Sequence, residues 1–282
     1  MIWLLPAAAC SITIAVILKI NEGRGGSRLV MMGANYIVAS LLAFALIRGD
    51  MGATDRTTVL FGAGTGAVYV LSFLVFMAGI GRGPLAVPVT VMRLSVVVPV
   101  VTAIFAWNES PGLARWLGII LGLGAILFFG AGVAGGRTEA ARGTSRTFWL
   151  LMAGLFLSMG LASVLLKTFG VVSPGAPRMP FTWLLFTFAG VFTWIVILAR
   201  RLTLDRRTFA LGLALGVPNL FSTVFTLRAL QSVPASVVFP FINVTVIFGA
   251  TLLGLVVWRE RLGRLSITGL VLAAVALLLL AR

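Results

Sequence analysis

Long apolar stretches alternate with short polar ones along the whole chain. Ten of these stretches approach the roughly 20 residues that an α-helix needs to cross a hydrocarbon layer. They lie near residues 3–20, 29–47, 58–80, 84–106, 113–134, 148–169, 181–199, 208–229, 234–257 and 264–281. The pattern predicts an all-α integral membrane protein with ten transmembrane helices. It does not fit transmembrane strands, whose apolar residues alternate over segments of about ten.

The composition agrees with this class. Of the 282 residues, 60% are hydrophobic and only 10% are charged, with a mean hydropathy of +1.12. The net charge of +15 comes from Lys and Arg at the ends of apolar stretches, where they act as topology signals and contact anionic lipid headgroups. We therefore expect a multi-pass protein of a bacterial cytoplasmic membrane, with lipids rather than nucleic acid as partners.

Several kinds of active site are missing from the sequence. The chain has no His and a single Cys, Cys10, which excludes His-based triads, His metal sites and Cys clusters. A membrane enzyme would need a nucleophile, an acid–base pair or a metal cluster at membrane depth, and the sequence contains none. We predict neither an enzyme nor a cofactor.

The two halves of the chain resemble each other. Lys19 and Lys167, 148 residues apart, each follow a Val-x-Leu at the end of an apolar stretch. A spacing of 150 aligns Gly66, Ser72, Pro84, Val87 and Val96 with Gly216, Ser222, Pro234, Val237 and Val246. A spacing of 151 aligns Trp107, Glu109 and Gly118 with Trp258, Glu260 and Gly269. The Pro, Trp and Glu matches favour a duplicated unit over chance matching of apolar sequence.

The duplication predicts the domain organisation. We expect a first five-helix repeat over 1–134, a polar linker over 135–147 and a second five-helix repeat over 148–282. Because five is odd, the second repeat must enter the membrane in the opposite orientation. Two inverted five-helix repeats are typical of secondary transporters, which bind substrate near the bilayer midplane.

These features resemble the drug/metabolite transporter (DMT) superfamily, in its EamA-like family. The resemblance rests on the five-plus-five plan, the Lys-ended first helix and the recurring Trp-x-Glu before a glycine-bearing last helix, and it covers nearly the whole chain. It implies a ten-helix carrier of small polar metabolites, working by alternating access through a central cavity between the repeats. A lipid-linked sugar flippase and a non-transporting membrane protein are the alternatives.

The fourth and ninth stretches hold the strongest candidate site. Pro88, Pro99 and Pro240 fall inside them, and interrupted helices in corresponding positions indicate a transporter site. Arg93 lies deep in the fourth stretch, where a charge costs several kcal/mol, and Asn243 is its counterpart in the second half. The guanidinium either contacts substrate or binds carbonyls freed by the bend.

Further candidates come in matched pairs. Tyr69 and Asn219 lie inside the third and eighth stretches with Ser72 and Ser222, whose hydroxyls can equally bond their own helices. Lys19 and Lys167 fall at helix ends, where they act as a gate or reach towards headgroups. Glu109 and Glu260 are expected to cap the fifth and tenth helices, which they precede.

The charge distribution restricts the substrate. All seven acidic residues lie in loops or at helix ends, which disfavours exchange of protons for cationic drugs. With Arg93 as the deep charge, we expect a small polar or anionic metabolite, moved by facilitated diffusion or exchange. Basic residues are more frequent in the loops after odd-numbered stretches, which predicts both termini outside. The oligomeric state is expected to be a monomer or a homodimer.

Overall fold

The computed structural model describes residues 2–23, 25–47, 54–80, 82, 86–134, 145–257 and 263–282. These residues form the helices α1 (Leu4–Glu22), α2 (Arg28–Ala45), α3 (Arg56–Ile80), α4 (Ala86–Leu94), α5 (Val97–Ala106), α6 (Leu113–Ala134), α7 (Arg146–Val172), α8 (Arg178–Ala199), α9 (Arg206–Ser232), α10 (Ala235–Val257) and α11 (Arg264–Leu280). Nine apolar segments of the described ranges are long enough to span a membrane, and α11 is a shorter apolar helix. The predicted all-α, multi-pass membrane class is confirmed.

The outer surface of the helices is apolar, as a lipid-exposed surface has to be. Phe105 is 80% exposed, Leu60 60% and Val256 76%. In water such side chains would favour aggregation, whereas acyl chains solvate them. The surface therefore agrees with the hydropathy of the sequence.

The predicted fourth stretch is divided into α4 and α5. Pro99 has no N–H to donate to the carbonyl of Ser95, four residues earlier. That carbonyl accepts instead from the N–H of Val98 at 3.0 Å, and the Ser95 hydroxyl donates to the Met92 carbonyl at 2.7 Å. The helix therefore breaks two residues after Arg93.

The other prolines do not break their helices. Pro88 lies in the first turn of α4, where a missing N–H costs little. Pro240 lies inside α10, which continues through it. The prediction of two interrupted helices thus holds for the first half, while the corresponding helix of the second half stays continuous.

The helices gather into two compact units. One unit comprises residues 71–164 and 232–282, and the other comprises residues 2–70 and 165–231. Each unit contains segments from both halves of the sequence, so neither unit coincides with a predicted repeat.

In the first of these units, α6 and α11 pack antiparallel through their glycines. A Cβ on Gly118 would lie 3.2 Å from the Ala276 carbonyl oxygen, and a Cβ on Gly269 would lie 3.2 Å from the Ala125 carbonyl oxygen. Gly118 and Gly269 are 151 residues apart, and so are Ala125 and Ala276. The two contacts therefore join equivalent positions of the two helices.

In the second unit, α2 and α8 also run antiparallel. The Trp194 indole N–H donates to the Gly33 carbonyl at 3.2 Å, and the Ser40 and Thr187 hydroxyls share a hydrogen bond at 2.7 Å. The Phe44 ring lies 5.5 Å from the Trp183 ring. Residue numbers thus rise along α2 as they fall along α8.

Two glycines allow α3 and α9 to pack closely against the α2–α8 pair. A Cβ on Gly66 of α3 would lie 2.7 Å from the Leu185 carbonyl oxygen on α8, and a Cβ on Gly216 of α9 would lie 2.7 Å from the Asn35 carbonyl oxygen on α2. The two glycines are 150 residues apart, and so are the two residues whose carbonyls they approach, Asn35 and Leu185. Helix backbones in contact leave no room for a side chain, and small residues supply such contacts in membranes.

Matching aspartates cap α3 and α9. The Asp55 carboxylate accepts from the Thr58 hydroxyl at 2.6 Å and from its N–H at 2.8 Å, and Asp205 accepts from the N–H and hydroxyl of Thr208 at 2.8 Å each. These bonds lower the pKa of both carboxyls below their ordinary value. The caps, again 150 residues apart, are a repeat signal that the sequence comparison missed.

We predict that Gly66→Ala destabilises the protein. The added methyl group would meet backbone atoms of Leu185 and Ala189, and overpacking of this kind costs about 1–3 kcal/mol. The measurement is the midpoint of thermal unfolding of the purified protein in detergent.

Gly64→Ala is the matched control, because a Cβ at Gly64 of the same helix meets nothing within 4 Å. Alanine is intrinsically more favourable than glycine in a helix, so this variant should keep or raise the midpoint. Equal midpoints for the two variants would contradict the close approach of α3 and α8.

We predict that the Asp205 cap loses its charge contribution in acid. Because the folded pKa is lowered, the carboxylate stabilises the protein above the unfolded pKa of about 3.9 and stops doing so as the pH falls through the folded pKa. The advantage of wild type over Asp205→Asn, measured by unfolding midpoints, should therefore shrink between about pH 6 and about pH 3. Asp55→Asn should show the same trend, and a constant difference for both would refute it.

Candidate functional site

Arg93 lies in the last turn of α4, immediately before the helix break. A cation there is favoured by the helix dipole. The side chain is partly buried, and its guanidinium forms no hydrogen bond or ion pair with any residue that the structure describes. The carbonyls of Met92 and Ser95 next to the break accept from Ser95 and Val98 instead. The alternative in which Arg93 serves only to satisfy those carbonyls is not what the structure shows.

Two more predicted residues belong to the same unit as Arg93. Asn243 is partly buried on α10, and its Nδ2 donates to the Phe239 carbonyl of its own helix at 3.1 Å. Ser72 on α3 is fully buried. Neither residue forms a hydrogen bond with Arg93. The described residues therefore place the three side chains in one unit without a direct polar interaction.

The second unit contains a polar cluster on α9, formed by Ser11, Asn35, Asn219 and Ser222. The Asn219 Nδ2 donates to Oδ1 of Asn35 at 3.1 Å, and Asn35 is 0% exposed. The Ser222 and Ser11 hydroxyls share a hydrogen bond at 2.8 Å. The α9 polar cluster thus links α9 to α1 and α2, and both of its predicted members, Asn219 and Ser222, are already bonded to protein groups.

Two tyrosines lie in the same unit. Tyr69 is partly buried on α3, and Tyr36 is 3% exposed on α2. Neither phenol forms a hydrogen bond within the described ranges, although a buried phenol normally has a partner. The two phenols are therefore hydrogen-bonding groups that no described protein group satisfies.

Sequence reasoning missed Asn35, Ser11 and Tyr36. Asn35 was visible as an amide inside the apolar α2, directly before Tyr36, but it has no polar counterpart 150 residues later. A match between the two halves therefore does not single it out. A polar residue inside an apolar helix is sufficient reason to expect a partner on another helix.

The two matched lysines differ in their surroundings. Lys19 is in the last turn of α1, as predicted. Lys167 lies more than one turn before the end of α7, which extends to Val172, and it borders a cavity of about 300 Å³. Both side chains are partly buried and have interaction partners.

Glu109 caps a different helix from the one expected. Its carboxylate accepts from the N–H groups of Ala235 and Ser236 at 2.9 Å each and from the Ser236 hydroxyl at 2.8 Å. It therefore caps the N-terminus of α10. The helix that Glu109 precedes in sequence, α6, begins only at Leu113. Glu260, its predicted counterpart, lies outside the described residues together with Pro84 and Trp258.

The described residues contain no group of three or more His, Cys, Asp and Glu side chains that could hold a metal ion. The candidate groups are a guanidinium in one unit, and two phenols with bonded amides and hydroxyls in the other. Such groups bind polar or anionic molecules through hydrogen bonds and charge. Binding is therefore the chemistry that the arrangement supports.

Comparison with known proteins identifies the fold but no family. No family model matches the chain. An uncharacterized protein of Haemophilus influenzae is 24% identical over 294 residues, covering 97% of this chain and 95% of that protein. A crystal structure superposes with a TM-score of 0.78 at 16% identity, covering 100% of this chain and 97% of that chain. The whole chain thus adopts a fold that has been observed experimentally.

We predict that Asn219→Leu destabilises the protein by about 1–3 kcal/mol, because it leaves the side-chain oxygen Oδ1 of the buried Asn35 without a hydrogen-bond donor. Replacing both residues, in Asn35→Leu/Asn219→Leu, should cost less than the sum of the single changes, since no polar group is then left unsatisfied. Unfolding midpoints of the four proteins in detergent measure this coupling. Strictly additive effects would mean that the two amides do not interact.

Proposed function

We propose that this protein is a secondary transporter of a small polar or anionic metabolite, similar to the EamA-like family of the DMT superfamily. The observation that carries the proposal is the guanidinium of Arg93. It follows an apolar turn, precedes a break in the helix, and has no hydrogen-bond or ion-pair partner within the described residues. Such a group is costly in a membrane and typically lies on a substrate or ion pathway.

The helix pairing supports two inverted repeats. The predicted repeats have α2 and α8 as their second helices and α6 and α11 as their last. Both pairs run antiparallel, and the contacts of α6 with α11 are reciprocal at a spacing of 151 residues. A two-fold axis in the membrane plane relates equivalent helices in this way. Inverted repeats of this kind supply the two conformations that alternating access requires.

The chemistry of the candidate groups defines the substrate class. Arg93 offers a positive charge and several N–H donors, and Tyr36 and Tyr69 offer hydroxyls that donate or accept. The acidic residues that the structure describes, Glu22, Asp55, Glu109 and Asp205, all lie at helix ends or in loops. We therefore infer a substrate bearing a carboxylate, sulfonate or phosphate, or a neutral polar one, moved by facilitated diffusion or exchange.

The test is uptake by proteoliposomes containing the purified protein, offered labelled amino acids, organic acids, sulfonates, sugars and quaternary amines. For the compound that is transported, Arg93→Gln should reduce the initial rate by roughly tenfold or more, because a charged hydrogen bond contributes about 1.5–3 kcal/mol. Arg93→Lys, which keeps the charge but loses the planar fork of donors, should retain part of the rate.

Arg146→Gln is the matched control, since Arg146 is an exposed arginine at the start of α7 in the same unit. It should transport at the wild-type rate. Wild-type uptake by Arg93→Gln would remove the assigned site, and uptake of none of the compounds by the wild-type protein would count against the function itself.

A further inference from the structure

A cavity of about 300 Å³ lies at the end of α7, the start of α8 and the end of α9. Its polar lining consists of Lys167, Arg178 and Gln231, and the remaining lining residues are apolar or glycine. No carboxylate is among its described lining residues. This lining thus combines two basic side chains with an amide, and Lys167 also has an interaction partner of its own.

Arg178 is held in place by aromatic packing. Its guanidinium carbon lies 6.0 Å from the centre of the Phe169 ring, and Phe169 in turn stacks on Phe181 at 4.1 Å. A cation over an aromatic face is attracted by the ring quadrupole. The ring contact therefore orients the planar head group, which has no acidic partner among the described residues.

Gly170 makes room for that orientation. A Cβ at this position would lie 2.5 Å from Nη1 of Arg178. The guanidinium therefore lies directly against the backbone of α7, where only glycine allows it. Any larger residue at position 170 would displace the head group from its place beside the cavity.

The guanidinium N–H groups of Arg178 form no hydrogen bond with any described residue. Its Nε is buried and donates no hydrogen bond to any described residue. A buried donor without an acceptor is unfavourable. Nη1 and Nη2 form no hydrogen bond with a described residue either, and as the terminal nitrogens of a side chain that lines the cavity they are the donors an acceptor there would meet.

We infer that this cavity binds the oxyanion of a phosphate group. Arginine presents N–H donors in a fork that matches phosphate geometry, and lysine adds a point charge. The cavity is large enough for a phosphate ester, and it lies where α7 ends at Val172 and α8 begins at Arg178. The ends of membrane-spanning helices are expected at headgroup level. A lipid headgroup and a soluble phosphate compound share this chemistry.

The phosphate site is separate from the α9 polar cluster. Gln231 lies twelve residues beyond Asn219 on the same helix, which corresponds to about 18 Å along the axis. Arg178, which carries the inference, is also not one of the groups to which the proposed function assigns the substrate, so each proposal can fail without the other.

The experiment measures the unfolding midpoint of the purified full-length protein in an uncharged detergent. One arm adds sodium phosphate against sodium chloride at the same ionic strength. The other arm adds dioleoyl phosphatidylglycerol against dioleoylglycerol, which has the same acyl chains but no phosphate. Because a ligand that binds only the folded state raises the midpoint with its concentration, we expect a saturable rise of a few degrees in at least one arm.

Arg178→Gln should lose this rise, and Arg200→Gln should keep it. Arg200 is an exposed arginine at the other end of α8, so it controls for the loss of one positive charge. If Arg178→Gln proves poorly folded without additives, Gly170→Ala keeps every charge while displacing the guanidinium, and it should weaken the rise.

A rise with phosphatidylglycerol alone assigns the site to a lipid headgroup, and a rise with inorganic phosphate assigns it to soluble phosphate as well. Both outcomes support the inference. Stabilisation by neither probe, equal stabilisation by dioleoylglycerol, or an undiminished rise in Arg178→Gln and Gly170→Ala would overturn it.

Discussion

Inside a membrane, every polar group of the protein has to find its partner within the protein, because lipid offers none. The structure meets this constraint in three ways. Backbone groups are bonded within helices, as in all membrane-spanning segments. Polar side chains such as Asn35 and Asn219 bond to each other across helices. Charged residues lie mostly at helix ends, and Glu109 uses its position there to satisfy the free N–H groups of α10. The few groups that escape this rule, above all Arg93, are the ones that need a functional explanation.

The close approach of the helices accounts for several of the matches between the two halves of the sequence. Gly118 and Gly269 each contact a backbone carbonyl of the other helix, at equivalent positions. Because the contacts of α6 with α11 are reciprocal, a small residue is needed at the equivalent position in both halves. The apolar surface facing lipid carries no such requirement, because leucine, valine and phenylalanine are equally acceptable there. The matches between halves therefore concentrate at contacts and caps, which is where Gly66, Gly216, Asp55 and Asp205 are found.

Much of the fold could be predicted from the sequence, since hydropathy alone located the spans to within a few residues. What it could not provide was the partner of each side chain. Glu109 precedes one helix but caps another, because the cap depends on which N-terminus lies nearby in space. The break after Arg93 illustrates a similar limit: Pro88, Pro99 and Pro240 are alike in the sequence, yet only Pro99 coincides with a break. For the candidate site, Arg93 could be selected by its cost in a membrane, whereas Asn35 and Tyr36 required knowledge of their neighbours.

Arg93 and Arg178 show how position determines the use of the same side chain. Arg178 begins α8, lies over the ring of Phe169, and borders a cavity with a second basic side chain. The ring contact restricts the guanidinium, which suits a site that retains its ligand. Arg93 ends a short helix next to a break and has no aromatic contact among the described residues. The proposed transport function requires release of whatever Arg93 binds, which a guanidinium without a partner among the described residues allows. The two proposals therefore assign the arginines different tasks, retention of a phosphate group by Arg178 and transient substrate binding by Arg93.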